Sequence, residues 1–229
     1  MTVHILGNGG HGRDIADIVK ANAVGKSFRI FVEMCDDNPE RGSPVPLGVD
    51  YLIGVADPKV RARLDRPDNK PVSWRHPSIT WPVPPWSRDE DAVGVVIGAG
   101  TTIGPEVRLG RHTHIGAGCT LTRTTIGDYC QIAPGVDIAG DVTIGDRVFV
   151  GVGARIANLV TVGDDVTIGA GAVVLHDVPD GATVAGIPAR VIRKRPNFGD
   201  SFGDTGCKDG QPHVYVFGVG ACSVCGYVP

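Results

Sequence analysis

The sequence predicts a small α/β unit with a parallel sheet, then a triangular parallel β-coil, then a short cysteine-containing tail. Three observations carry this expectation. The opening segment alternates short apolar strands with helical patterns. An aliphatic residue recurs every six positions through the middle of the chain. Glycine supplies 33 of 229 residues without the every-third period of collagen, which points to repeated tight turns. Hydrophobic residues at 42% and charged residues at 21% suit a globular chain rather than a disordered one. A formal net charge of -3 offers no basic surface for nucleic acid or an anionic membrane, and no apolar run is long enough to cross a bilayer. The opening MTVHILGNGGHG lacks the basic start and cleavage site of a signal peptide, so a cytoplasmic location is expected. Cys35, Cys119 and Cys130 are scattered and Cys207, Cys222 and Cys225 cluster late, which fits a reducing compartment better than a disulfide framework.

The first module runs over 1–88. Val3-His4-Ile5-Leu6 reads as a strand and leads into the glycine-rich Gly7-Asn8-Gly9-Gly10-His11-Gly12. Ile15, Ile18 and Val19 then recur at helical spacing, predicting a helix from Arg13 to about Ala23. Phe28 to Val32 reads as a second strand ending in the acidic turn Asp36-Asp37-Asn38-Pro39, and Tyr51 to Val55 as a third. Pro58 to Leu64 predicts a helix with proline in its first turn. Alternation of this kind implies a doubly wound parallel sheet. Pro77 to Arg88, with four prolines and two tryptophans, reads as an irregular packed linker.

The second module spans 94–193. The six-residue register runs Ile97, Ile103, Leu109, Ile115, Leu121, takes one shortened step, and resumes from Ile126 through Val174. Glycine follows most of these aliphatics. The fifth position of each unit is small or β-branched, as at Thr101, Cys119, Thr125, Cys130 and Val148. Two inward positions per hexapeptide, with a turn beside one of them, is what a triangular coil requires, and three units complete each turn. Such a coil is a scaffold and specifies no chemistry by itself.

Together the two modules resemble the bacterial nucleotide-sugar N-acetyltransferases that make sialic-acid-type and diacetamido sugars. The resemblance covers residues 1–193. It rests on Gly9-Gly10-His11-Gly12, Asp36-Asp37, the hexapeptide array, and a closing segment from Asp177 to Ile192 that contains Gly186-Ile187-Pro188-Ala189-Arg190. It implies a Rossmann-like domain joined to a left-handed β-helix, a homotrimer, and acetyl-CoA as co-substrate. Gly9, Gly10 and His11 would then bind a sugar-nucleotide phosphate at a helix N-terminus, with Asp36 and Asp37 on the ribose or base. Ala56 stands where the family usually has glycine. The same resemblance places the thioester and pantetheine contacts on Gly140, Val152 and Ala170, with Arg190 near the coenzyme phosphates.

The pattern breaks at the family's general base. Leu121-Thr122-Arg123-Thr124-Thr125 is one residue short, and Arg123 stands in the histidine's place with Thr124 in that of its carboxylate. Gln131 replaces the second histidine and Gly116 an asparagine. Arginine does not act as a base at neutral pH. Three explanations follow. His114, which ends the Leu109 hexapeptide as Gln131 ends the Ile126 one, stacks one coil turn from Gln131, about 5 Å away, and would replace the base. Alternatively, positioning and thioester polarisation suffice for an easily activated nucleophile. In the third, the protein is a catalytically silent trimer that binds a nucleotide sugar or serves as a scaffold. A zinc site through His112 and His114, as in coil-type carbonic anhydrases, lacks a third ligand. His176 reads as packed or solvated.

The tail, 194–229, changes composition to a glycine-rich connector, then Cys207, His213, the apolar Val214-Tyr215-Val216-Phe217, and Cys222-Ser223-Val224-Cys225-Gly226. Cys207, His213, Cys222 and Cys225 would make a tetrahedral zinc set. A redox pair, plain thiols, or a strand docked on the coil are the other readings.

Overall fold

The computed structural model describes residues 2–7, 9–21, 31–35, 48–65, 70–79 and 93–193. The Asp36-Asp37 turn, most of the proline-rich linker, and the tail with Cys207, His213, Cys222 and Cys225 lie outside these residues.

In the first module β1 (Thr2–Leu6), β2 (Phe31–Cys35), β3 (Asp50–Ile53) and β4 (Lys70–Pro71) form a parallel sheet in the order β2-β1-β3-β4. Among the described residues two helices accompany it, α1 (Gly10–Ala21) and α2 (Pro58–Leu64). Gly12, Ile15, Ala16 and Val19 give α1 its buried stripe, at the i, i+3, i+4, i+7 spacing that puts residues on one helical face. The helix starts three residues before the expected Arg13, because the Gly9 carbonyl already accepts from Arg13 N at 3.2 Å. It lies close to the end of β3. A Cβ on Gly54 would come within 2.7 Å of the Gly12 Cα, so these two positions set the approach of helix to sheet. The helix α2 begins where its proline predicted, with Asp57 capping the amides of Lys59 and Val60 at 2.8 and 3.0 Å. The second strand is described over Phe31–Cys35, with Phe28 to Ile30 outside the described residues, and the third ends at Ile53 rather than Val55.

The second module is a parallel β-solenoid of two-residue strands. Its first turn is β6 (Val96–Ile97), β7 (Thr102–Ile103) and β8 (Arg108–Leu109), and His114–Ile115 then returns to pair with Val96–Ile97. Three faces result, and the five-stranded second face makes five turns. The aliphatic residue of each unit points inward, from Ile97 to Val174, and all are at most 7% exposed. The second inward residue lies two positions earlier, because the intervening side chain points out. This corrects one assignment at the shortened unit: Thr124 is buried and bonds the Thr122 carbonyl at 2.9 Å, whereas Thr125 is exposed. The deleted residue comes from the corner, so the strand keeps its alternation and only the corner tightens.

The corners between the first and second faces turn on left-handed glycines, as at Gly118 and Gly153. At the other two corners non-glycine residues adopt the left-handed region, including Arg123 (φ 42°), His112 (φ 50°) and Tyr129 (φ 57°). Left-handed backbone costs an L residue about 1–2 kcal/mol, which the ladder hydrogen bonds on both sides offset.

The two modules share a core. The strand β5 (Trp74–Arg75) pairs parallel with β6, and Trp74 N donates to the Val95 carbonyl at 2.9 Å. Val96 packs with Val3, Ile5, Ile15 and Leu52. The sheet of the first module is thereby fixed against the coil's first face, which brings α1 and α2 to His112, His114 and Gln131.

Candidate functional site

The junction is built from two groups of side chains delivered by α2 and by the first coil turns. Arg61 and Asp65 stand four residues apart, one turn along α2 and its end, and both reach the coil.

Arg61 is fully buried. Its guanidinium donates to the carbonyls of Val55 (2.7 and 3.0 Å), His112 (3.0 Å) and Cys130 (2.9 Å), and to the Gln131 side-chain oxygen at 2.5 Å. A longer contact reaches the Ala56 carbonyl at 3.4 Å. No described carboxylate pairs with it. Burial pulls its pKa down to about 9, so it remains charged at neutral pH.

Asp65 receives Tyr51 Oη at 2.5 Å, Tyr129 Oη at 2.8 Å, Arg111 Nε at 2.6 Å and Nη2 at 3.0 Å, and faces His112 Nε2 at 3.1 Å. Burial alone would raise this carboxyl. The bonds from Arg111, Tyr51 and Tyr129 outweigh it and hold the group well below the usual carboxylate range. His112 is sealed beneath, stacked on Tyr129 with ring centroids 5.9 Å apart, and burial lowers its pKa to about 4. Its Nδ1 has no described partner. A Cβ on Gly94 would strike that ring at 2.3 Å, so the packing there requires glycine.

His11 on α1 meets the coil at His114, with Nε2 and Nδ1 2.9 Å apart. His11 is half-buried and His114 is 1% exposed. Burial, and then the Arg61 charge, lowers His11 to about 4 and His114 well below its ordinary value. Both rings are neutral at physiological pH. Gln131 lies beside His114 in the ladder, as the register predicted, and its side chain is committed to Arg61.

The other candidate residues lie elsewhere on the coil. Arg123 and Gly140 share the corner between the second and third faces. There Arg123 Nη2 is 3.0 Å from where a Cβ of Gly140 would be, and it pairs with Asp141 at 3.3 Å. A groove of about 380 Å³ opens at this corner, lined by Glu106, Arg108, Arg123, Thr125, Asp141 and Thr143. Val152 and Ala170 stack on exposed turns between the first and second faces. Arg190 is exposed at the start of the last strand among the described residues, Arg190–Arg193. Gly9 and Gly10 are exposed, and nothing lies within 4 Å of a Cβ built on either. The structure therefore brings His11, Ala56, His114 and Gln131 to one junction, puts Arg123 with Gly140 on a second edge, and Val152 with Ala170 on a third. Among the described residues no group of three His, Cys, Asp or Glu side chains could hold a metal.

Sequence reasoning missed Arg61, Asp65, Tyr51, Tyr129 and Arg111. One signal was available: Pro58, Arg61 and Asp65 fall at i, i+3, i+7 on one face of a short helix, the spacing of a docked side.

Residues 92–184 match the family described as the GMPPB C-terminal domain. No curated protein matches the chain at a significant level. Among solved structures, the acetyltransferase domain of PglB from Neisseria gonorrhoeae FA1090 in complex with acetyl coenzyme A matches with a TM-score of 0.70 and 27% identity, covering 83% of this chain and 98% of that one. A His-to-Asn variant of perosamine N-acetyltransferase from Caulobacter crescentus, in complex with CoA and GDP-perosamine, matches with a TM-score of 0.60 and 28% identity over 85% of this chain and 98% of that one. PerB from the same organism, also with CoA and GDP-perosamine, gives 0.54 and 27% over 83% and 97%. The resemblance read from the sequence thus extends through both modules.

Proposed function

We propose that this chain, an acyltransferase of the hexapeptide-repeat solenoid kind, transfers the acetyl group of acetyl-CoA to the amine of a nucleotide-linked sugar. One observation carries the reading. The match to proteins solved with acetyl coenzyme A, or with CoA and GDP-perosamine, runs through the module and the coil alike, over 83–85% of this chain. A coil matched alone would support a scaffold and no more.

In this reading the coil is left-handed, the first module is a Rossmann-like nucleotide-sugar domain, and the protein is a cytoplasmic homotrimer. The dispersal of Gly140, Val152 and Ala170 over two edges supports a donor site completed by a second copy. So do the exposed apolar side chains Val152, Leu159 and Leu175 along those edges. The acceptor's phosphates sit at the open amide end of α1, beside Gly9 and Gly10, where the helix dipole favours an anion.

Arg123 cannot take a proton from the amine. Placed over Gly140, its guanidinium polarises the thioester oxygen as charge develops there. His114 is sealed and its Nδ1 is engaged by His11, so it does not meet the amine directly. Where transfer takes place, this favours positioning together with polarisation. The amine nitrogen forms the C–N bond, the C–S bond breaks, and the amine's proton passes to the departing thiolate, through water where the two do not touch.

A second reading is a nucleotide-sugar-binding trimer without turnover. It is favoured by Arg123 and Gln131 standing where the resembling family carries histidines. Incubation with acetyl-CoA and a panel of GDP- and UDP-linked amino sugars separates the two. Thiol release dependent on one of the sugars supports transfer, and sugar-nucleotide binding without thiol release supports the second reading.

A further inference from the structure

Two neutral imidazoles at 2.9 Å share one proton, and the surroundings decide whose it is. If His11 donates from Nε2, the proton of His114 sits on its own Nε2, an N–H sealed in the protein with no described partner. If His114 donates from Nδ1, its Nε2 is only an unused lone pair. A buried N–H without an acceptor is the rarer and costlier arrangement. Burial and the neighbouring Arg61 charge disfavour a doubly protonated ring at either position.

The charge balance of the junction bears on what His11 would meet. Arg61 is wholly buried, bonds only uncharged oxygens, and has no described carboxylate partner. Asp65, one turn away, is engaged by Arg111, two tyrosines and His112. The Arg61 charge, with no described carboxylate bonded to it, therefore stands behind His11, and no described residue bonds His11 Nδ1.

We infer that His114 is a positioning residue. Its Nδ1–H holds His11 in the Nδ1–H tautomer, so that His11 offers a neutral N–H donor, not a base, to a phosphoryl oxygen of the acceptor's diphosphate. This rests on the acceptor site proposed above and assigns the coil, through one buried ring, a part in holding a ligand of the other module. It also explains why His114 is sealed: its nitrogen acts on His11 rather than on a substrate.

The test uses the full chain and two readouts. The first is long-range 15N–1H correlation on 15N-histidine-labelled protein, with the His11 signals identified from a His11→Gln sample. The Nδ1–H tautomer of His11 is expected, and the Nε2–H tautomer overturns the inference. The second is calorimetry with GDP, UDP and guanosine. His114→Phe removes the donor and is expected to bind the diphosphates about tenfold more weakly. His114→Asn restores an N–H near the Nδ1 position and recovers affinity to within about threefold. Guanosine binding is unmoved by either change. Equal losses for GDP and guanosine, or no loss in a folded His114→Phe protein, overturn the positioning role. If wild-type protein binds neither diphosphate, the acceptor reading fails, and the tautomer measurement still decides which ring donates. That measurement needs no variant of His114 to fold.

Discussion

Replacing Arg61 with alanine should loosen the first module from the coil while leaving the coil itself intact. The side chain satisfies four oxygens, on Val55, His112, Cys130 and Gln131, in a fully buried setting. Each acceptor left bare costs about 1–3 kcal/mol, and water entering the vacated space recovers part of that. A net loss of about 4 kcal/mol follows, a large share of the 5–15 kcal/mol typical of whole domains. Hydrogen exchange reads this loss locally. Protection of α1 and α2 amides should fall about a thousandfold, since about 1.4 kcal/mol is a factor of ten. Amides deep in the coil, such as those of Phe149 and Gly151, which donate to the Val166 and Ile168 carbonyls, should keep theirs. Arg61→Lys retains the charge but not the planar fork, and should fall between the two. Protection of α1 and α2 within about threefold of wild type in Arg61→Ala would refute the idea that this cation clasps the junction.

Other perturbations address separate parts of the structure. His112 has a folded pKa of about 4 against an ordinary 6.5, so the unfolded chain binds the proton first as pH falls. The associated stability is fully present above pH 6.5 and disappears between 6.5 and about 4. It amounts to about 3 kcal/mol, and should be visible as a urea midpoint that drops over that window and drops less steeply in His112→Phe, where the buried His11 and His114 still contribute. Gly94→Ala adds a Cβ 2.3 Å from the His112 ring at a φ of 70°, and should cost about 3 kcal/mol in the same assay. Arg123→Ala breaks only a half-exposed ion pair with Asp141, so melting should change little, while acetyl transfer should fall about a hundredfold if the guanidinium polarises the thioester. A rate unchanged in Arg123→Ala would remove that role.

The coil was readable because its two inward positions repeat with the period of the structure itself, and each buried Ile or Val is used the same way on every turn. The misplacement of Thr125 shows the limit of that reading. A one-residue deletion can be drawn in a strand or in a corner, and only strand alternation, which buries Thr124, decides. The helix at Pro58 was legible from its proline and from the Asp57 cap. Its most consequential residues were not, because Arg61 and Asp65 in PKVRARLD look like the solvated side of a short helix. Their burial arises from partners 46 to 70 residues away, which local pattern cannot supply. His114 was found through its register beside Gln131, but its engagement by His11 depends on how the first module sits on the coil. The strand Trp74–Arg75 escaped notice for the same reason, since it exists only by pairing with Val96–Ile97.

The most direct measurement is sequential calorimetry on the folded full chain, titrating coenzyme A and then GDP- and UDP-linked amino sugars. Binding of coenzyme A, with one of the sugar nucleotides binding independently at one per chain, is the predicted result. Heat from neither class of ligand, on protein whose exchange and melting show both modules intact, would contradict it.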